Sequence, residues 1–312
     1  MASERRGRAA AAPLPLTTWH LEGEPLAALQ AGEPAPGEPP RPVVMILHGF
    51  PDHPPSFAAL ARTLAGAGYH CVVPYLRGYA PSTRRGPFTL ERLRDDALAL
   101  LALVSPGRPA ALVGHDWGAM ITYAACASAP ERISCAVTLS VPAPLTFLRQ
   151  LVTSRQLLRS FYMLLFQLSA ADALARRADF ALLDWLWRRW SPGFRLPDDD
   201  AAALHACLAA SWPAPLAPYR ALLHLPDLRR RHAELRRWSI HVPTLQLHGE
   251  QDGCIAPASA AHQRAWFAAP LEQVRLPDVG HFLHLEAPGE VASQTLRWLS
   301  AHHLRLPADA RP

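Results

Sequence analysis

The chain has 312 residues, half of them apolar and 18% charged, enough for two domains or one large domain carrying an insertion, and too apolar for wholesale disorder. All 31 basic residues are arginine and asparagine is absent too, which excludes a P-loop, a lysine Schiff base, a protein-kinase catalytic loop and N-glycosylation. The net charge of +5 comes from scattered arginines with short clusters at Arg84-Arg85, Arg188-Arg189 and Arg229-Arg230-Arg231, not from a recognition helix, so no nucleic-acid partner is expected.

Residues 1–15 read as a flexible tail broken by Pro13 and Pro15, and the Gly-Glu-Pro-rich stretch 31–42 as an exposed loop. Val43 to Leu47 is a continuous apolar run ending in His-Gly, the pattern of a strand buried on both faces. A helix is predicted from about Ser56 to Leu64, a strand at His70–Val73, and a helix over Leu90–Val104. A strand at Ala110–Val113 stops at Gly114, a helix covers Ala119–Ser128, and Ile133–Leu139 is a further buried strand. Strands and helices alternating at this spacing predict an α/β fold with a mostly parallel sheet and helices on both faces.

The rhythm breaks at Val141-Pro142 and resumes at Val242-Pro243. The segment between, about 145 to 235, has helical runs, prolines and four tryptophans, Trp185, Trp187, Trp190 and Trp212, and reads as an all-helical insertion. A strand to Leu247, a helix near 258–268, a strand over Leu271–Leu276 and a final helix from about 288 to 301 complete the chain. The expected division is a core in two parts, 16–141 and 239–304, a helical cap over 142–238, and a C-terminal tail over 305–312. No apolar run reaches the ~18 residues that span a bilayer. Five cysteines without a CxxC pair suit a reducing, cytoplasmic location, and no His/Cys spacing suggests a metal.

The central motif is Gly114-His115-Asp116-Trp117-Gly118, where a buried strand meets a helix. It has the form of the G-x-S-x-G nucleophile elbow, with aspartate in place of serine. By itself it also fits a plain turn with Asp116 as helix N-cap. Its expected partners decide between the two. His48-Gly49-Phe50-Pro51 follows the first buried strand, so the backbone N–H groups of Phe50 and Trp117 could form an oxyanion hole. His281, in Asp278-Val279-Gly280-His281 after the last strand, is the candidate base, with His284 as rival. Asp252 is the candidate acid that orients it, with Glu250 as minor competitor. The order Asp116, Asp252, His281 is nucleophile, acid, base, as in the α/β-hydrolase fold.

Taken in order, HGFPD, RGYAPS, GHDWG, GEQD and GHFLHLE, with a helical segment between the third and fourth, resemble the epoxide hydrolase family of α/β-hydrolases over residues 40–302. One departure is Tyr75 before Leu76, where the family often has aspartate. A carboxylate attacking an sp³ carbon forms an ordinary ester that water can hydrolyse, so an aspartate at the elbow suits epoxides or alkyl halides. The resemblance implies that Tyr162 and Tyr219, the two tyrosines of the insertion, donate to the epoxide oxygen. It also implies a small apolar epoxide and water as substrates, a pocket including His48, Pro51, Phe166 and Trp212, and no cofactor or metal. A haloalkane or haloacid dehalogenase using the same aspartate is the alternative, weakened because Phe50 stands where many haloalkane dehalogenases have asparagine. A catalytically silent ligand-binding member of the fold is a second alternative.

Overall fold

A computed structural model describes residues 12–303 apart from 152–153, 223, 225–232, 234 and 258–261. Its centre is an eight-stranded sheet in the order β1-β2-β4-β3-β5-β6-β7-β8. These strands are Leu16–Leu21 (β1), Glu24–Ala31 (β2), Val43–Leu47 (β3), His70–Pro74 (β4), Ala110–His115 (β5), Ile133–Leu139 (β6), Thr244–Gly249 (β7) and Leu271–Leu276 (β8). From β4 to β8 every pairing is parallel, whereas β1, β2 and β4 pair antiparallel.

The β1–β2 hairpin is not anticipated in the sequence. It turns at Glu22 and Gly23, both at positive φ (52° and 81°), and Glu-Gly is a weaker turn signal than Asn-Gly or Asp-Gly. The strand is also an edge, alternately exposed and half-buried, so it lacks the apolar run that marks the inner strands.

Alternation divides those inner strands between two cores. Val44 and Ile46 of β3, Val73 of β4 and Val113 of β5 pack with Leu60 and Leu64 of α1 (Ala58–Gly66). The C-terminal helix, which we label α10 (Pro288–His302), joins them through Val291, Trp298 and Leu299. Met45, Leu47, Val72 and Leu112 face the other way, onto Leu100 and Leu101 of α2 (Leu90–Val104) and Met120 and Ile121 of α3 (Trp117–Ser128). The helix expected from Ser56 begins as a 3₁₀ turn at Pro54–Phe57. Of the helix expected near 258–268, residues 258–261 lie outside the described set and the rest is a 3₁₀ turn, Gln263–Trp266.

Between β6 and β7 the described residues form the helices α4 (Pro144–Leu151), α5 (Ser154–Arg159), α6 (Phe161–Leu165), α7 (Ala170–Trp190), α8 (Asp198–Ser211) and α9 (Ala217–Leu222) and no named strand. Part of the expected 142–238 segment, and most of both expected tails, lie outside the described residues. The long α7 breaks near its middle, where Ala178, Asp179 and Phe180 take positive φ. No helix among the described residues is long and apolar enough to cross a membrane.

Arg77, from the RGYAPS segment, ties three elements together. Its guanidinium donates to both Asp96 oxygens on α2 (2.6 and 3.0 Å), to Glu24 of β2 (2.5 Å) and to the Arg85 carbonyl (2.7 Å). Arg77 and Asp96 are both buried. Without Arg77 the buried Asp96 keeps only Arg92, at 3.1 Å, among the described residues, so Arg77→Ala should cost about 3 kcal/mol, read from the urea midpoint. Arg77→Met with Asp96→Leu should recover most of that loss, because apolar groups of similar volume replace the buried pair and the charges left, Glu24 and Arg92, reach solvent.

Candidate active site

The expected residues converge at the carboxyl ends of the parallel strands, where open α/β sheets place their sites. Asp116 follows β5, Phe50 follows β3, Asp252 follows β7 and His281 follows β8. Asp116 sits at φ 53° and ψ −116°, outside the conformations open to most L-residues, as a sharp strand-to-helix turn demands. Two close approaches make that turn possible. A Cβ on Gly118 would lie 2.0 Å from the Leu47 carbonyl oxygen, and one on Gly49 would lie 2.4 Å from the Asp116 side chain.

The Phe50 N–H donates to Asp116 Oδ1 at 2.8 Å, so one expected oxyanion donor already faces the carboxylate. Trp117 is the first residue of α3, and its ring packs edge-on against Tyr219. On the other side of the carboxylate, His281 Nε2 stands 3.7 Å from Asp116 Oδ2 and His281 Nδ1 lies 2.9 Å from Asp252 Oδ2. The remaining oxygen of Asp252 accepts from the backbone N–H of Cys254 and Ile255 at 2.7 and 2.8 Å, which fixes its orientation. Of the rivals, Glu250 is exposed, and His284 is buried against Phe57 with Nε2 3.1 Å from Asp52.

Burial disfavours the His281 imidazolium, but the Asp252 charge and the bonds to Asp116 and Asp252 outweigh it, raising its pKa to about 10. For Asp252 burial favours the neutral acid, yet His281 and His248 hold its carboxyl below the usual range.

Above Asp116 is a small cavity of about 30 Å³. Asp116, Trp117, Tyr162 and Tyr219 supply its polar groups, and Met120, Val141, Phe147, Met163, Leu222 and Ile255 the apolar remainder. The two tyrosines come from α6 and α9, and their rings meet edge to face at 5.7 Å. Burial pushes both phenols well above their ordinary pKa and keeps them protonated. The Tyr162 hydroxyl lies 3.4 Å from the Cys254 thiol, whereas the buried Tyr219 hydroxyl, next to Trp117, makes no well-formed hydrogen bond among the described residues.

Four residues expected around the pocket lie elsewhere. His48 is buried beneath the turn, with Nδ1 on the Gly49 carbonyl and Nε2 accepting from Leu76 N–H, and burial lowers its pKa to about 4. Pro51 offers its carbonyl to the Trp187 indole N–H at 2.9 Å. Phe166 packs against both tyrosines and Phe50 without lining the cavity. Trp212 bonds the Asp172 carbonyl and packs on Phe180. An aromatic side chain near the right place in sequence does not reveal which face of its helix meets the cavity.

Other contributors leave no motif in the sequence. The Ser191 hydroxyl, just past α7, accepts from the His281 and Phe282 N–H groups and donates to Glu286. The preceding Trp190 carbonyl accepts from Gly253 and His281, and Trp187 stacks on Phe282 at 3.3 Å. The insertion thus holds the loops carrying Asp252 and His281. Behind His281, one group of side chains among the described residues could hold a metal: Asp52, His115 and His284, with ligand atoms within 4.8 Å of one another. His115 Nε2 bonds the His281 carbonyl at 3.0 Å, so this group also buttresses the histidine loop.

With this geometry in view, comparison with known proteins is decisive for the fold family. The alpha/beta hydrolase fold family profile matches residues 42–288. This chain is an α/β-hydrolase. It is 30% identical over 308 residues to epoxide hydrolase A of Mycobacterium tuberculosis, covering 86% of this chain and 94% of the relative. An epoxide hydrolase of Caballeronia sordidicola is 27% identical over 293 residues, covering 83% and 87%. The crystal structure of a Bacillus megaterium epoxide hydrolase with an inhibitor superposes with a TM-score of 0.79 at 23% identity, over 91% of this hydrolase and all of that chain. At that identity the likeness concerns the fold.

The charge arrangement predicts how His281 titrates. Asp116→Asn removes a negative charge 3.7 Å from Nε2, so the imidazolium loses stabilisation and its pKa should fall from about 10 toward neutrality. Nitrogen-15 NMR of the imidazole across pH measures this directly; an unchanged midpoint would show that Asp116 does not hold the proton.

Proposed function

We propose that this hydrolase converts an epoxide and water to a vicinal diol through a covalent ester on Asp116. The observation that carries the reading is the pairing, in one small apolar cavity, of a carboxylate with two buried, protonated phenols. A leaving alkoxide is strongly basic and needs a proton donor; a halide does not.

In the first step an Asp116 oxygen attacks a ring carbon and the C–O bond breaks. Its electron pair goes to the epoxide oxygen, which takes a proton from Tyr162 or Tyr219. The ester formed is neutral, so His281 loses one of the two carboxylates that stabilise its proton, and its basicity falls toward that of a general base. The His281 proton passes to the tyrosinate, and neutral His281, still oriented by Asp252, then removes a proton from water as that water adds to the ester carbonyl. The Phe50 N–H, already on Asp116 Oδ1, and the Trp117 N–H hold the oxyanion. Collapse breaks the ester C–O bond, and its electron pair leaves with the substrate oxygen, which takes the second proton of the added water; this releases the diol and restores the Asp116 carboxylate, both phenols and the His281 imidazolium, with no metal or cofactor taking part.

Two variants test the two steps separately. His281→Gln should leave alkylation intact and block hydrolysis, so intact-mass spectrometry should show Asp116 heavier by one substrate. Full turnover with unshifted mass would refute the two-step scheme. For ring opening, Tyr162→Phe and Tyr219→Phe should each slow single-turnover alkylation by about 10- to 100-fold and the double variant by far more, because two groups serve one oxygen. Halide release from a haloalkane should be almost indifferent to both. A double variant that opens epoxides at the wild-type rate would return the tyrosines to a packing role.

A further inference from the structure

Six of the eight large apolar side chains that stand most exposed among the described residues belong to one stretch of the insertion: Leu157, Leu158, Leu164, Leu168, Leu174 and Trp185. Five of them, Leu157, Leu158, Leu164, Leu168 and Trp185, form a coherent set around the half-buried Phe161. Leu157 and Leu158 on α5, Phe161 and Leu164 on α6, and Leu168 just beyond recur every three or four residues, and Phe161 packs edge-on against Trp185 at 5.9 Å. Leu158 is 70% and Leu164 57% exposed, while the intervening Tyr162 and Met163 turn inward and line the cavity. The short helix α6 is therefore the cavity wall on one side and an apolar surface on the other.

The charge of this stretch is one-sided. Residues 145–190 hold seven arginines and three aspartates. The aspartates are already engaged: Asp172 pairs with Arg220, and Asp179 and Asp184 with the two ring nitrogens of His205. Arg155, Arg176, Arg177 and Arg188 are exposed and pair with no carboxylate among the described residues, and Arg189 lies over the Trp185 ring at 5.5 Å.

We propose that this face of the insertion docks on an anionic lipid bilayer, Leu157, Leu158, Leu164, Leu168 and Trp185 entering the headgroup layer while the neighbouring arginines pair with lipid phosphates. Apolar side chains set among unpaired cations are the signature of an interfacial surface, which needs both signals to bind stably. The charge also decides against a second copy of this chain, since two such faces would bring like charges together around their apolar centre. The advantage to catalysis rests on the epoxide reading: an apolar epoxide dissolved in lipid would reach a cavity whose wall touches that lipid. Docking itself does not depend on it.

The test is co-flotation of the whole chain with vesicles of phosphatidylcholine alone or of phosphatidylcholine with phosphatidylglycerol, without an activity readout. The wild type should bind the anionic vesicles at least about tenfold better than the neutral ones, and lose that preference in high salt. Leu158→Glu with Leu164→Glu should abolish binding at an unchanged melting temperature. Arg155→Gln with Arg176→Gln and Arg188→Gln should weaken it by at least about tenfold, without touching the apolar face. Equal binding to both vesicles, or none, would overturn the proposal. So would a dimer in sedimentation velocity that the two glutamates dissolve, which would make the face an interface between copies.

Discussion

The site hangs on one strained residue. Asp116 holds a positive φ at the junction of β5 and α3, and the conformation persists because its surroundings leave no alternative. Gly118 lets α3 press against the end of β3, Gly49 makes room for the carboxylate, and the Phe50 N–H takes hold of Oδ1. With the carboxylate pinned between a backbone donor and His281, only one direction is open to it, into the cavity beneath the two phenols. A side chain on a flexible loop could make the same contacts only at the cost of ordering itself each time.

The insertion contributes side chains to the candidate site as well as covering it. Both phenols come from it, while the end of α7 supplies the Ser191 hydroxyl and the Trp190 carbonyl that fix the backbone of the His281 and Asp252 loops. Trp187, stacked on Phe282 and bonded to Pro51, seals the same junction. Movement of the insertion would therefore displace Tyr162, Tyr219, His281 and Asp252 together. Polar anchors at this seam have a clear physical rationale: a purely apolar contact could slide, whereas a hydroxyl shared by three partners defines one register.

Beneath His281 lies a second set of buried ionisable groups, in which Asp52 faces His115 and His284. Burial disfavours the charged form of His115, and neighbouring histidines push in the same direction, so its pKa lies well below the ordinary value. A neutral ring that donates from Nε2 to the His281 carbonyl can hold the loop without adding a positive charge beside the imidazolium. The HGFPD segment thus contributes twice: Phe50 to Asp116, and Asp52 to the layer that supports the histidine.

Much of this protein is legible from sequence because its signals are local. Unbroken apolar runs mark the inner strands, and the position of Asp116, Asp252 and His281 just beyond the strand ends follows from strand and turn patterns that a few neighbouring residues set. The β1–β2 hairpin is obscured because an edge strand shows only a weak alternation and turns on Glu22-Gly23. His48, Phe166 and Trp212 have composition and motif context suited to a pocket, yet they face the core, the tyrosines and the insertion interior. Which side of an element meets a cavity depends on how that element packs, and no local pattern encodes it. The same holds for Ser191 against His281, Cys254 beside Tyr162, and the cluster of Asp52, His115 and His284. Each joins residues far apart in the chain, and their distances and protonation exist only once tertiary packing has removed water from between them.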